Sequence, residues 1–105
     1  MTGLQPEDVY KVHAEFCRTS ANTKRLKVLD VLADGGELTV SEIQERTDIN
    51  QSTLSQHLSK MRDKGVLTRR KEGVNSFYSI ADDRVITAFK SVQGMAQEKA
   101  AAERR

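Results

Sequence analysis

Apolar residues recur at helical spacing along most of the chain. Leu54, Leu58 and Met61 lie at positions i, i+4 and i+7, a spacing that places side chains on one face of an α-helix. Spacings of three and four predict four more helices, whose apolar sets are Val9, Val12 and Phe16; Leu26, Leu29 and Leu32, with Val28 and Val31 alongside; Val40 and Ile43; and Val85, Ala88, Phe89, Val92 and Ala96. The chain is therefore predicted to be mostly helical.

Polar residues, proline and glycine mark where these helices begin and end. Pro6 fits the first position of a helix that runs to about Arg18, and Asn22 is suited to cap the second helix. Thr39 and Glu42 are spaced as in a capping box, which opens the third helix. The remaining predicted boundaries are the Asp34-Gly35-Gly36 cluster, Thr47, the turn TDIN with Asn50 as a cap, Gly65, and Asp82 or Asp83.

The hydrophobic period changes after Gly65. VLTRRK and NSFYSI are short segments rich in β-branched and aromatic residues, and the Glu72-Gly73-Val74 stretch between them has a glycine suited to a tight turn. Residues 66–80 therefore predict a β-hairpin, with Phe77 and Ile80 packed on the helices. The predicted fold class is mostly α with a small β-hairpin: four helices, the hairpin and a fifth helix, in a single domain over residues 1–105.

Length and charge distribution narrow the choice of function. The chain of 105 residues suffices for one small domain, whose limited core a second copy would supplement. Residues 50–80 contain six basic and two acidic side chains, whereas the rest of the chain has a small acidic excess. A basic segment of this kind is typical of a surface that contacts a polyanion. No apolar run is long enough to span a bilayer and no signal-peptide core is present, so we expect a cytoplasmic protein without a membrane partner.

Polar side chains crowd the outer face of the fourth helix. Two helices joined by the TDIN turn over residues 40–64 predict a helix-turn-helix, whose second helix can enter the DNA major groove. The residues expected to face double-stranded DNA are Gln51, Ser52, Thr53, Ser55, Gln56, His57 and Lys60. Glutamine can pair with adenine through two hydrogen bonds, and serine and threonine can bond bases or phosphates. The hairpin cations Arg69, Arg70 and Lys71 are predicted to contact the phosphate backbone or an adjacent minor groove.

The segment TVSEIQERTDINQSTLSQHLSKMRDKGVLTRRKEGVNSFYSI resembles the ArsR/SmtB-type family of winged helix-turn-helix transcriptional repressors. The residues that carry the likeness are Ser52, Ser55, Gln56, His57, Leu58, Met61, Arg62, Gly65 and Val66. The resemblance implies a dimeric winged helix-turn-helix in which helices at residues 6–18 and 82–103 form a homodimer, residues 66–80 form the wing, and binding to a palindromic operator represses transcription. It makes Val9, Val12, Phe16, Phe89, Val92 and Ala96 the expected interface residues, although each could instead pack within one subunit.

The chain departs from that family at the positions where many members bind metal. Those relatives carry a cysteine cluster at the start of the third helix, or histidine and acidic residues on the last helix. Residues 40–47 contain no cysteine or histidine, and neither do residues 82–105. His13 and Cys17 lie four residues apart on the first helix, but two ligands make an incomplete site. We therefore predict no metal and no cofactor, and control by a small-molecule or protein effector or by the protein's own abundance.

Cys17 is the single cysteine of the chain, which excludes an intrachain disulfide. Its expected role is that of a small buried apolar residue. Alternatively, a thiol near the dimer seam could act as a redox switch by bonding to the same residue of a second copy.

Other function classes fit the residues less well. The chain has no nucleophile–base–acid set and no glycine-rich phosphate loop, so it is not expected to be an enzyme. A protein-interaction module of antitoxin or adaptor type would favour exposed aromatic residues, whereas the five aromatic residues here are mostly accounted for by packing. An architectural DNA binder would contact DNA without distinguishing its sequence.

Overall fold

Five helices and three short strands make up the fold. The computed structural model describes residues 3–104. The elements along the chain are α1 Pro6–Ser20, α2 Thr23–Gly35, β1 Leu38–Thr39, α3 Val40–Thr47, α4 Gln51–Asp63, β2 Leu67–Glu72, β3 Asn75–Ile80 and α5 Asp83–Glu103. The predicted order of four helices, a hairpin and a fifth helix is confirmed, and α1 ends two residues beyond the predicted Arg18.

Side-chain caps start four of the helices at the predicted positions. Asn22, Asn50 and Asp82 each accept hydrogen bonds from backbone N–H groups in the first turn of α2, α4 and α5. In the capping box before α3, Thr39 Oγ1 accepts from the N–H of Glu42, whose carboxylate accepts from the N–H of Thr39. These bonds satisfy N–H groups that a helix start leaves without a partner, so local sequence fixes where the helices begin.

The predicted hairpin belongs to a three-stranded antiparallel sheet with the order β1-β3-β2. β2 and β3 pair from Leu67 opposite Ile80 to Glu72 opposite Asn75. Gly73 begins the two-residue connection with a φ of 61°, a left-handed value that the first position of a type II′ turn requires. The hairpin is therefore two strands of six residues each, of which β3 is the central strand.

The sequence pattern does not predict strand β1. Leu38 pairs with Tyr78, and Thr39 pairs with Phe77 before it caps α3. Two residues are too few to show the alternation of a strand. β1 nevertheless attaches the start of the helix-turn-helix to the hairpin.

A continuous hydrophobic core joins the helices to the sheet. Its buried members are Val28, Leu29, Leu32, Leu38, Ile43, Ile49, Leu54, Leu58, Met61, Val66, Leu67, Tyr78 and Ile80. Leu26 was expected in the buried stripe of α2, but its side chain is 40% exposed. Steps of three residues drift around a helix of 3.6 residues per turn, and Val28 takes the buried position in place of Leu26.

Helices α1 and α5 contact the core through only a few of their side chains. α1 buries Thr19 and Ser20, and α5 has no fully buried residue. Phe16 of α1 and Val85 and Phe89 of α5 pack against the core while half-buried. Much of the surface of both helices is therefore exposed in the single chain. Among residues 3–104, no helix has both the length and the apolar character needed to cross a membrane.

Candidate nucleic-acid interface

Helix α4 carries a polar face opposite its buried one. Leu54, Leu58 and Met61 are each at most 1% exposed, which confirms the predicted inward side and fixes the rotation of the helix. Of the residues predicted to face DNA, Gln51, Ser52, Ser55, Gln56 and Lys60 are exposed, and Thr53 and His57 are half-buried. In the turn before α4, Asp48 has a left-handed φ of 57° and Ile49 is buried, so the start of the helix is held firmly against the core.

The hydroxyl of Ser52 is already engaged within the protein. Ser52 Oγ donates to Asn50 Oδ1 at 2.9 Å, and the same oxygen accepts from the backbone N–H of Thr53 at 3.1 Å. The single hydroxyl proton of Ser52 is used by the helix cap, so this hydroxyl cannot also donate to DNA. Its oxygen lone pairs can still accept a hydrogen bond from a DNA amino group. Ser52 is thus better arranged to accept from a base than to donate to a phosphate.

His57 is oriented by a residue of another helix that the sequence pattern does not single out. Arg25 Nε donates to His57 Nδ1 at 3.0 Å, and Arg25 Nη1 donates to the carbonyl oxygen of Thr19 at 3.0 Å. Burial, and then the positive charges of Arg25 and Lys24, lower the pKa of His57 below its ordinary value of 6.5. The His57 imidazole is therefore neutral at pH 7.

The three wing cations fall on two faces of the hairpin. Successive side chains of a strand point to opposite faces, so Arg69 and Lys71 share the face of the buried Leu67, and Arg70 lies on the other face. Arg69 and Lys71 are exposed, and neither forms an ion pair within residues 3–104. The charges of Arg69 and Lys71 are thus not balanced by a carboxylate of the described residues and can pair with a binding partner.

Arg70 is instead held by acidic and aromatic neighbours. Its Nη2 and Nε donate to the Glu37 carboxylate at 2.9 and 3.1 Å, and its Nη1 pairs with Glu72. Its guanidinium carbon lies 4.5 Å from the centre of the Phe77 ring. These bonds lower the pKa of Glu37 and raise that of Arg70. Arg70 therefore links the segment before β1 to β2, and a phosphate would have to compete with two carboxylates for it.

A polar bridge joins α1 to the end of α4. Glu15 accepts from Lys64 at 2.9 Å and from Arg18 at 2.8 Å. Lys64, and then Arg18, lower the pKa of Glu15 to about 2, so the carboxylate is charged at neutral pH. Together with the Arg25 bonds to Thr19 and His57, this bridge connects α1 to α4 at two places.

An apolar groove of about 1010 Å³ lies between α1, α2 and α5. Among the residues predicted for a dimer interface, Val9, Val12 and Val92 are 53%, 73% and 59% exposed, Ala96 is exposed, and Phe16 and Phe89 are half-buried. The exposed Leu26 lines the same groove. Contiguous apolar surface of this kind is typical of interaction sites.

Cys17 is exposed in the single chain, so it does not belong to the core of that chain, where it was expected as a small buried residue. α1 packs against the core through Phe16, and the next residue of a helix points about 100° away from it. Cys17 therefore lines the apolar groove together with His13. Its predicted alternative role as a redox switch stays a prediction.

Comparison with known proteins places this domain in a family. Residues 22–69 match the model described as bacterial regulatory protein, arsR family. An uncharacterized HTH-type transcriptional regulator of Methanocaldococcus jannaschii is 36% identical over 83 residues, which cover 79% of this chain and 93% of that protein. The chain belongs to the ArsR family. The transcriptional repressor PagR of Bacillus anthracis is 42% identical over 72 residues, covering 69% of this chain and 72% of PagR.

Solved structures of ArsR-family relatives have the same architecture. The crystal structure of PagR covers 82% of this chain and 98% of its own, with a TM-score of 0.75 and 36% identity. The solution structure of the homodimeric winged helix-turn-helix DNA-binding domain of Mb0332 (fragment 1–100) from Mycobacterium bovis covers 95% of this chain and 94% of its own, with a TM-score of 0.79 and 32% identity. This ArsR-family chain is thus a winged helix-turn-helix protein and a DNA-binding transcriptional regulator.

The ligand groups at the family's metal positions do not fit a transition-metal site in this chain. Residues 40–47 offer hydroxyl, amide and carboxylate groups but no thiolate or imidazole, and the same holds for residues 82–105. Within residues 3–104, no three or more His, Cys, Asp or Glu side chains are grouped so that they could hold a metal ion.

Proposed function

We propose that this ArsR-family protein is a homodimeric repressor that places α4 in the major groove of a palindromic operator and its wing on the flanking phosphates. The observation that carries the proposal is the outer face of α4, where Gln51, Ser55 and Gln56 stand exposed above a fully buried inner face. The solvent face of a helix carries charged or polar residues, and on this one Gln51, Ser55 and Gln56 present uncharged hydrogen-bonding groups. Such groups distinguish base edges.

The residues of α4 have different proposed roles at DNA. Gln51 and Gln56 are placed to make paired hydrogen bonds with adenine, and Ser55 to bond a base or a phosphate. Ser52 accepts from a base amino group because its proton is held by the helix cap. Lys60, a full two turns after the start of the helix, contacts phosphate and adds affinity without sequence choice.

We assign the phosphate contacts of the wing to Arg69 and Lys71. Both cations lie on the hairpin face that carries Leu67, and both are free of ion pairs within the described residues. Arg70, bonded to Glu37 and Glu72, acts mainly within the protein by holding the wing to the segment before β1.

The proposed dimer covers the apolar groove between α1, α2 and α5 with a second copy of the chain. Val9, Val12 and Val92 are more than half exposed, and water contact with these side chains would be removed in a dimer. The Mb0332 domain, which has the same fold, is homodimeric, which supports the proposal of a dimer. Two copies related by a twofold axis would present two α4 helices to the two halves of a palindrome.

The test of base recognition is fluorescence anisotropy on a duplex that the wild-type protein selects from a random-sequence library. Gln56→Ala should raise the Kd for this duplex by about fivefold or more, since a paired hydrogen bond to a base contributes about 1–3 kcal/mol of discrimination. The Kd for a scrambled duplex should change little. Gln97→Ala, which truncates an exposed glutamine on α5, is the matched control. Equal losses of affinity on both duplexes would indicate an architectural DNA binder instead.

The dimer is tested by sedimentation velocity. Val12→Glu puts a charge on a side chain that is 73% exposed in the single chain, so it should leave the fold intact and produce a monomer. Val74→Glu places the same charge at the 99% exposed tip of the wing, and this control should stay dimeric. A dimer that survives Val12→Glu would exclude the groove as its interface.

The proposed releasing signal is a small-molecule or protein effector. The residues at the family's metal positions offer neither thiolate nor imidazole. Zn²⁺ added to the protein–DNA complex should therefore leave the anisotropy unchanged, and release of the duplex by stoichiometric Zn²⁺ would contradict this assignment. A reporter gene with the selected duplex in its promoter tests repression: expression should fall with the protein present, and a rise would indicate an activator.

A further inference from the structure

Arg25 contacts the proposed recognition surface from outside it. This residue lies in the first turn of α2 and is half-buried. One side of its guanidinium donates to His57 Nδ1 on α4 at 3.0 Å, and the other donates to the carbonyl oxygen of Thr19 at the end of α1, also at 3.0 Å. Both bonds lie in partly buried surroundings, where water competes poorly for the same groups. Arg25 is therefore fixed at one end while it engages His57 at the other.

The identity of the donor determines the protonation of its partner. A guanidinium group has only N–H donors and remains protonated in proteins. Any atom bonded to Arg25 Nε is thus an acceptor, so Nδ1 of His57 carries no proton. The remaining proton of the neutral imidazole is on Nε2, across the ring from Arg25.

We propose that Arg25 is a positioning residue for DNA recognition: it holds the His57 ring in one orientation and one tautomer, so that Nε2–H is a fixed donor to a base edge. The proposal rests on the proposed function, because it gives His57 a contact with DNA. In the major groove a fixed donor selects guanine N7 or O6, adenine N7 or thymine O4, and it disfavours the cytosine amino group. Arg25 does not itself touch the base.

The first experiment requires no DNA. Long-range ¹⁵N–¹H correlation spectra report the tautomer of each histidine, and the chain has only two, so the exposed His13 is an internal reference. The wild-type protein should show His57 as the Nε2–H tautomer, and Arg25→Met should show a mixture of tautomers. Lys24→Met is the matched control: it removes the same charge one residue away but no hydrogen bond to His57. A mixed tautomer in the wild type, or an unchanged spectrum in Arg25→Met, would overturn the proposal.

The second experiment measures anisotropy on the duplex selected by the wild type, with each base pair substituted in turn. Arg25→Met should weaken binding about five- to tenfold more than Lys24→Met does, as expected for one misplaced hydrogen bond. It should also relax base preference at the same operator position as His57→Ala. In a His57→Ala background the extra loss from Arg25→Met should disappear. A loss that persists there, or that is uniform across all sequences, would exclude a role through His57.

A second variant keeps the proposal testable if Arg25→Met destabilises the fold. If Arg25→Met lowers the melting temperature strongly, Arg25→Lys is measured instead, since one ammonium group cannot serve Thr19 and His57 with the fork geometry of arginine. It should give an intermediate tautomer mixture and an intermediate loss of affinity, and wild-type behaviour in both would overturn the proposal. If the wild type selects no duplex, the proposed function fails, while the tautomer experiment still decides what Arg25 does to His57.

Discussion

Arg69→Gln should flatten the salt dependence of operator binding, whereas Arg70→Gln should leave it nearly unchanged. Each phosphate neutralised by a cation contributes about 0.9 to the slope of log K against log salt concentration. A dimer carries two copies of Arg69, so the substitution should reduce the slope by about 1.8. The charge of Arg70 is balanced by Glu37 and Glu72 in the free protein, so Arg70 displaces few counterions when DNA binds. Its loss should therefore change the slope little.

The assay is anisotropy on the selected duplex across a series of NaCl concentrations, with Lys71→Gln measured beside the two arginine variants. Lys71 shares the strand face of Arg69, so its variant should resemble Arg69→Gln and not Arg70→Gln. Equal changes of slope for Arg69→Gln and Arg70→Gln would refute the division of the wing into two faces. No change for any of the three would remove the wing from the DNA interface.

Three further predictions concern stability, each measured by urea unfolding at fixed protein concentration. Leu58→Ala removes a side chain that is 1% exposed and should cost about 2–5 kcal/mol of the free energy of unfolding. Thr39→Ala removes the bond to the N–H of Glu42 and should cost about 1 kcal/mol, whereas a loss above that of Leu58→Ala would contradict the capping role. The lowered pKa of His57 means that its neutral form contributes stability that is fully present above pH 6.5 and is lost as the pH falls through the folded-state pKa. Between pH 7.5 and pH 5 the wild type should therefore lose more stability than His57→Gln, and equal losses would show that burial and the neighbouring cations do not lower the pKa of His57 in the folded protein.

The helices could be predicted from the sequence because their signals are local. Asn22, Asn50 and the Thr39–Glu42 pair cap groups within three residues of themselves, and the inner face of α4 follows from spacing alone. The polar outer face of α4 follows from the same spacing, because the residues between Leu54, Leu58 and Met61 lie on the other faces of the helix.

The unpredicted features join residues that are distant in sequence. Arg25 and His57 are 32 residues apart, and Arg70 and Glu37 are 33 residues apart. Both pairs meet only because the fold brings the first turn of α2 close to His57 of α4 and places β1 and β2 on either side of β3. The exposure of Cys17 in the single chain also depends on tertiary structure: Cys17 follows the inward-packed Phe16, and residue spacing does not tell how far a neighbouring helix covers α1.

Sequence-specific recognition of DNA by α4 is measured as the ratio of two dissociation constants at physiological salt. One is measured by anisotropy on the duplex selected from random sequence, and the other on a scrambled duplex of the same composition. Specific DNA-binding proteins favour their site by about 10³-fold or more, and the exposed glutamine and serine face of α4 predicts a ratio of that order. A ratio near one, with weak and salt-sensitive binding to both duplexes, would contradict sequence-specific recognition by α4.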